Sequence, residues 1–496
     1  MGFEIDYLAF APELVVVVAI LGVLLLDLIL PRSLKYITAV VAVFGVSMAA
    51  IPLLVMAVDG STRAMFDGSF TVDTFALVLK ALFVLSAYLV LLLSVSYIER
   101  DRFYQGEYYF LILCSLLGSM VMASSRDLIV LFIGLELTTA PLFLLAGWRK
   151  GDVKSNEAAL KYYIIGVLSA ALLLYGMSLV YGLTGSVLFE DIRAAVADPV
   201  LASEPALGLA IILMLAGFGF KVSAVPFHAW APDTYEGSPT PVTAYLSVNS
   251  KAAGFVAMLI VLYLAVPGAS AVWAPALWIM AAASMIVGNL SALRQTNIVR
   301  LLAYSSIAQA GFMLVPFAAA GVAGTDLTDA FSATVIYLVI FAVMNLGAFA
   351  VVIAGARRTG SGEVSGWAGL GSYDPRLGVL AAVFFFSLAG IPPLAGWFAK
   401  FVMFRSVIIA GGTATVVLAV IAAVNTVIAF YYYARVVKSI WLDDAPVTDL
   451  GDRAAVPAGS LRLALAIAGV LTVLVGVFPT IASIFGEASR VLASGG

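Results

Sequence analysis

Four ionisable residues stand where hydrocarbon would surround them, each beside features that a plain membrane anchor would not need. Lys221 lies in Gly217-Phe-Gly-Phe-Lys-Val-Ser-Ala-Val-Pro226, with His228 close behind. Proline lacks the backbone donor and clashes one turn back, so this helix is expected to bend or unwind just past Lys221. Lys400 follows Ala389-Gly-Ile-Pro-Pro-Leu-Ala-Gly396 within an apolar stretch from Arg376 to Ile409, longer than one crossing requires. Its double proline predicts two half-helices in place of one rod. Lys251 sits mid-span among Ser247, Asn249 and Ser250, short polar groups able to hydrogen-bond an ammonium or hold a water. Glu136, in Gly134-Leu-Glu-Leu-Thr-Thr-Ala-Pro141, is the one carboxylate read as lying well inside a span. A carboxylate in hydrocarbon needs a cation to stay charged, and an intramembrane lysine is the obvious partner.

Charged side chains near mid-bilayer cost several kcal/mol, so they usually face a polar interior and mark an ion pathway. Broken helices with an ionisable residue at the break are the usual construction of membrane ion sites. The competing reading of each lysine is a conformational hinge around a neutral amine. Lys80 and Arg405 make a weaker case: one is about two turns from a helix start, the other lies beyond a helix break, and for both snorkelling to an interface competes at least equally with a place on an ion pathway. His228 is about two turns past Lys221 and would share its face if the helix were unbroken. The intervening proline leaves open whether this imidazole gates protons, hydrogen-bonds or only packs.

The elements that must hold these groups follow from the composition. Of 496 residues, 63% are apolar and 11% charged, and mean hydropathy is +1.09. A soluble domain carries about 25% charged residues, so a soluble multidomain enzyme is excluded. A net charge of -3 without Lys/Arg runs gives no sign of a nucleic-acid partner. With Cys114 the only cysteine and His228 the only histidine, the chain can build no disulfide, zinc site, iron–sulfur cluster or bis-histidine haem.

Apolar runs near the length of a membrane crossing recur along the whole chain. They are Ala9–Leu30, Ile37–Ala57, Phe75–Tyr97, Tyr108–Ala123, Leu128–Gly147, Ala158–Leu183, Ala206–Trp230, Pro239–Val266 and Val272–Leu293. Ile298–Phe317, Phe331–Ala356, Arg376–Ile409, Ala414–Ile440 and Leu461–Phe485 complete an all-α polytopic membrane protein. The total is about 14 transmembrane helices, with ends good to a few residues. Loops after odd-numbered helices collect the basic residues, among them Arg32, Lys35, Arg100, Arg102, Arg149, Lys150, Lys154, Lys161, Arg294, Arg300, Arg357, Arg358 and Arg453. The opposite loops and tails hold only Arg63, Arg126, Arg193 and Arg490. The positive-inside rule then puts the basic loops in the cytoplasm and both termini outside. Glu4 and Asp6, followed by a long apolar run, do not fit a cleavable signal.

From about Tyr108 to Arg435 the motifs closely resemble the N-subunit family of the proton-pumping NADH–quinone oxidoreductase, respiratory complex I. The resemblance is carried by His228-Ala-Trp-Ala-Pro-Asp-Thr-Tyr-Glu-Gly-Ser-Pro-Thr-Pro241, continuing to Phe255, and by Asn156-Glu-Ala-Ala-Leu-Lys-Tyr-Tyr163. Gly134-Leu-Glu-Leu137, Arg300-Leu-Leu-Ala-Tyr-Ser-Ser-Ile-Ala308 and the Ala389–Lys400 stretch carry it too. It implies two inverted five-helix repeats, helices 4–8 and 9–13, with helices 7 and 12 broken. The corresponding divisions are residues 1–107, 108–267 (first repeat), 268–440 (second repeat) and 441–496. It also implies a proton relay in which Glu136 pairs with Lys221, Lys251 stands at the centre and Lys400 on the exit side. Lys161 is either a further relay group at the cytoplasmic mouth or an interfacial anchor. Many relatives have His where this chain has Gln309, and an amide can hold a water wire but cannot carry a proton as imidazolium does.

The resemblance implies a multi-pass subunit of a bacterial inner membrane, with both termini periplasmic and other membrane-arm subunits, antiporter-like ones above all, as neighbours. FMN, iron–sulfur clusters, NADH and quinone would belong to or act in other subunits, with no cofactor in this chain. A subunit of a multisubunit cation/proton antiporter, or of an F420H2- or ferredoxin-driven complex, is the alternative. A non-conducting scaffold is a third reading, against which the full Glu136, Lys221, Lys251 and Lys400 set argues.

Overall fold

The computed structural model describes residues 5–99, 106–445 and 458–493; Arg100, Arg102 and Arg453, counted above as loop charges, lie outside them, as does the side chain of Arg490. Helices α1 (Ala11–Ile29), α2 (Tyr36–Asp59) and α3 (Thr74–Ile98) come first, with a hairpin of β1 (Arg63–Met65) and β2 (Phe70–Val72) before α3. Then follow α4 (Glu107–Ala123), α5 (Leu128–Ala146), α6 (Val153–Thr184), the short α7 (Phe189–Val196) and α8 (Pro199–Ala202), and α9 (Pro205–Val222). The middle of the chain forms α10 (Trp230–Gly237), α11 (Thr240–Tyr245), α12 (Lys251–Ile260), α13 (Ser270–Ala292), α14 (Ile298–Ala323) and α15 (Thr328–Thr359). The last elements are α16 (Leu370–Tyr373), α17 (Pro375–Ala389), α18 (Ala395–Ala410), α19 (Thr413–Leu442), α20 (Gly459–Val477) and α21 (Thr480–Ala493).

Among the described residues, twelve helical segments are long and apolar enough to cross a bilayer, and α4 and α17 are shorter apolar helices. Their starts are written in the sequence. Asp73, Asp127, Asp152, Asn297 and Asp374 cap α3, α5, α6, α14 and α17 by accepting from backbone N–H groups of the first turn. The breaks fall where the prolines are. One runs from Ser223 to Ala229, between α9 and α10, and the other from Gly390 to Leu394, between α17 and α18. The apolar run Leu461–Phe485 is not continuous either: it stops at Val477 and resumes at Thr480. Pro479 bars its predecessor from the helical region and cannot itself donate to the previous turn.

The same order of elements occurs twice. A closely packed pair, α4 with α5, leads to the 32-residue α6 and the broken α9/α10; the pair α13 with α14 leads to the 32-residue α15 and the broken α17/α18. An isolated antiparallel bridge closes each copy at the equivalent place, Asp127 with Leu188 and Asn297 with Glu363. The segment Thr240–Ala265 and α15 are almost wholly buried, whereas α6 and α19 present much of their surface outwards. Two π-helical turns, Leu246–Ser250 and Val261–Ala265, flank α12. Such wide turns occur frequently at functional sites. Here the first of them immediately precedes Lys251.

Candidate functional site

At the first break α9 ends with Ser223 in a left-handed conformation, and its amide returns to the Phe220 carbonyl. Ser284 on α13 accepts from the Val225 amide at 2.8 Å, so the unwound turn is pinned by a neighbouring helix. This arrangement leaves Lys221 on the last turn of α9, aimed across to α5. Its ammonium donates to Glu136 Oε1 and to Thr139 Oγ1, both at 2.8 Å. The lysine side chain is 1% exposed and the glutamate 26%. Gly254 lets α12 approach, since a Cβ there would meet Lys221 Cβ at 2.7 Å. The carboxylate that called for an intramembrane lysine is therefore beside the lysine that the resemblance implied.

Lys251 meets no carboxylate among the described residues. Its ammonium donates to the carbonyl (2.7 Å) and hydroxyl (2.5 Å) of Ser306 on α14. From there α14 carries a buried polar line towards Lys400. Ser305 hydrogen-bonds the Tyr433 hydroxyl, and Gln309 Nε2 donates to that hydroxyl at 3.5 Å and to the Leu388 carbonyl at 3.1 Å. Gln309 Oε1 accepts from Tyr337 at 2.6 Å. Both ends of the amide are thus held. Lys400 Nζ donates to the Ala389 carbonyl at 2.7 Å and sits 5.1 Å from the Phe312 ring centroid. Ala389 is four residues before Pro393, so its carbonyl is the one that the proline leaves without a helical donor. Gly390, at φ +91°, makes room for the lysine stem: a Cβ there would lie 2.7 Å from Lys400 Cδ.

Lys161 is 40% exposed and belongs to a charge cluster rather than to this buried line. It contacts Glu157 and Asp233 at 2.6 Å each. Arg300, from the first turn of α14, bridges Asp233 at 2.8 Å and Glu236 at 2.9 Å, and Lys154 reaches Glu236 at 2.8 Å. His228 lies half-buried in the break. Among the described residues no group of three or more His, Cys, Asp or Glu side chains could hold a metal ion.

One pair escaped the sequence reading. Lys80 does not snorkel: it is fully buried and meets the equally buried Glu13 at 2.7 Å, with the Phe70 ring centroid 5.0 Å from its ammonium. Glu13 is therefore a carboxylate more deeply buried than Glu136, hidden because it stands in the first turn of α1, where acids are common. Near it, Asp73 pairs with Arg126 at 2.6 Å. The one available signal was the coincidence of a lysine in α3 and a carboxylate in α1, both set in otherwise apolar runs.

Residues 125–426 match the family model described as NADH:quinone oxidoreductase/Mrp antiporter, transmembrane. The chain is 42% identical to NADH-quinone oxidoreductase subunit N of Trichlorobacter lovleyi over 86% of its own length and 85% of the relative's. With the protein of that name from Desulfitobacterium hafniense it shares 39% identity over 97% of both chains. Among solved structures it is similar to a chain of respiratory complex I from Thermus thermophilus, with a TM-score of 0.76 at 32% identity over 95% of this chain and 98% of that one. A chain of the Mrp complex from Dietzia has the same fold, with a TM-score of 0.84 at 20% identity over 99% of this chain and 98% of that one. Sequence and overall structure agree: this chain belongs to the NADH:quinone oxidoreductase/Mrp antiporter transmembrane family and, within it, to the N-subunit branch of the quinone oxidoreductases.

Proposed function

We propose that this chain is the N-type proton-translocating membrane subunit of an NADH–quinone oxidoreductase, moving protons through a Glu136, Lys221, Lys251 and Lys400 relay. One observation carries the reading: Lys221, 1% exposed, is paired with Glu136 at 2.8 Å at the edge of a helix break. Buried ion pairs are weak contributors to stability, so a pair kept at a break needs another reason to be there. Proton transfer supplies it. Moving Glu136 away would leave the ammonium without its counter-charge, favouring release of a proton towards Lys251. The Ser305, Tyr433 and Gln309 line then joins the neighbourhood of Lys251 to that of Lys400, with water as the carrier past the amide.

Redox chemistry belongs to other subunits of such a complex, with FMN, iron–sulfur clusters, NADH and quinone bound there. The neighbours of this chain would be further antiporter-like membrane subunits. The collection of basic residues in alternate loops of the sequence supports a bacterial inner-membrane orientation with both termini periplasmic. The twofold order of elements supports two inverted repeats, at residues 108–267 and 268–440, between an N-terminal three-helix unit and a C-terminal segment. The antiporter reading rests on fold likeness, whereas identity over most of the chain favours the quinone-linked one. The test is Lys221→Ala in the complete complex, read as protons moved per electron. A lowered ratio in an assembled complex supports the relay; an unchanged ratio sinks it.

A further inference from the structure

Three stacked aromatic rings come from the helices that carry the charge cluster and Lys221. Tyr162 follows Lys161 on α6, Phe220 precedes Lys221 on α9, and Trp230 lies one turn before Asp233 on α10. Tyr162 stacks on Trp230 at 4.6 Å between centroids and on Phe220 at 5.9 Å, and Phe220 lies 5.0 Å from Trp230. All three are essentially shielded from solvent, and Phe143 closes the far side of Tyr162 edge-on at 4.8 Å. The cluster, by contrast, is reached by water: Lys161 is 40% exposed and Asp233 31%. Each ring is thus next in sequence, or one helical turn away, to a member of the cluster or to the buried lysine.

We propose that Tyr162, Phe220 and Trp230 form a dry gate between the charge cluster and Lys221, and that the cluster holds the gate shut by clasping α10. The inference rests on the proton-relay reading above and deepens it by naming where protons enter. The clasp is geometric. Asp233 and Glu236 share one face of α10 and are gripped from α6 by Lys161 and Lys154 and from α14 by Arg300. Trp230, at the other end of that short helix, donates its indole N–H to the Phe220 carbonyl at 3.1 Å. Releasing Asp233 would let α10 turn about the unwound Ser223–Ala229 segment and draw the indole away. The Phe220 carbonyl would keep the Ser223 amide as a donor but lose the indole, leaving an acceptor lone pair inside the bundle. A backbone acceptor in hydrocarbon recruits water, here at the residue next to Lys221. Opening the gate therefore wets the entry to the relay.

The test uses the intact complex in liposomes loaded with a pH-sensitive dye, without electron donor, under an imposed pH gradient. Trp230→Ala should raise the passive proton leak by about tenfold, the change expected from lowering a barrier by ~1.4 kcal/mol. Trp230→Phe keeps a ring in the stack but not the indole N–H and should leak by an intermediate amount, and adding Lys221→Ala to Trp230→Ala should abolish the leak. A packing role alone would not make the leak depend on Lys221. Should Trp230→Ala fail to assemble, Tyr162→Leu and the partly exposed Asp233→Asn take its place, each with a raised leak expected. Assembled variants no leakier than the unaltered complex, or a leak that survives loss of Lys221, overturn the gate. The relay itself fails separately, if Lys221→Ala alone leaves protons per electron unchanged.

Discussion

Replacing Lys80 by methionine would strand Glu13 in the bundle interior. Both side chains are 0% exposed and 2.7 Å apart, and the carboxylate has no hydrogen-bond donor among the described residues beyond that ammonium contact. Removing one member of such a pair costs about 3–5 kcal/mol, because the survivor is an uncompensated buried charge. Methionine nearly matches the lysine stem in volume, so little of the loss would come from a cavity. Changing both residues, Glu13→Leu with Lys80→Met, removes the stranded charge as well and should be close to neutral. The assay is the yield of assembled complex from membranes and the temperature at which this subunit is lost from it. Lys80→Met and Glu13→Leu alone should each lower both, and the double variant should recover most of the loss. Since neither residue lies on the proposed relay, the recovered complex should move the usual number of protons per electron. The reasoning fails if either single variant assembles and melts like the unaltered complex, or if the double variant is no better than the worse single one.

Lys400→Arg should assemble yet pump poorly, because a guanidinium effectively never deprotonates in a protein; pumping at the unaltered rate in proteoliposomes would refute this. Gly390→Ala places a side chain at φ +91° and against Lys400 Cδ, so a loss of stability of about 1–2 kcal/mol or more is expected, read as a lower melting temperature of the complex. Gln309→Leu removes the acceptor for Tyr337 and the donor to Leu388, and should slow proton movement more than quinone reduction, a split visible when both are measured on one sample.

What the sequence made legible was whatever is local or covalently enforced. Pro226 and the Pro392-Pro393 pair announce the breaks because a missing N–H acts within one turn of itself. For Glu136 the residues alone called for an intramembrane lysine, and the family resemblance named Lys221 as that lysine. Lys251 gave up its location but not its partners: a backbone carbonyl and Ser306 leave no charge pattern to read. Lys80 was misread for a related reason. Distance from a helix start says how far a side chain is from the interface, not whether another helix covers it, and α1 covers this one. Asp233 and Glu236 fall outside the apolar runs and Arg300 at the edge of one, and only the folding back of α10 brings them together between α6 and α14. The aromatic stack was equally silent, its three members coming from three helices.

The hydrogen bond from Lys400 to the Ala389 carbonyl bears on what moves during turnover. An ammonium has three N–H groups, and the neutral amine left by proton loss still has two. Either form can therefore keep capping the carbonyl that Pro393 leaves vacant, and letting go would cost the backbone its one donor there. The amine is tethered in both charge states. On the proposed relay Lys400 would then be a fixed station and not a swinging arm: protons and water would pass it, while the side chain keeps its address.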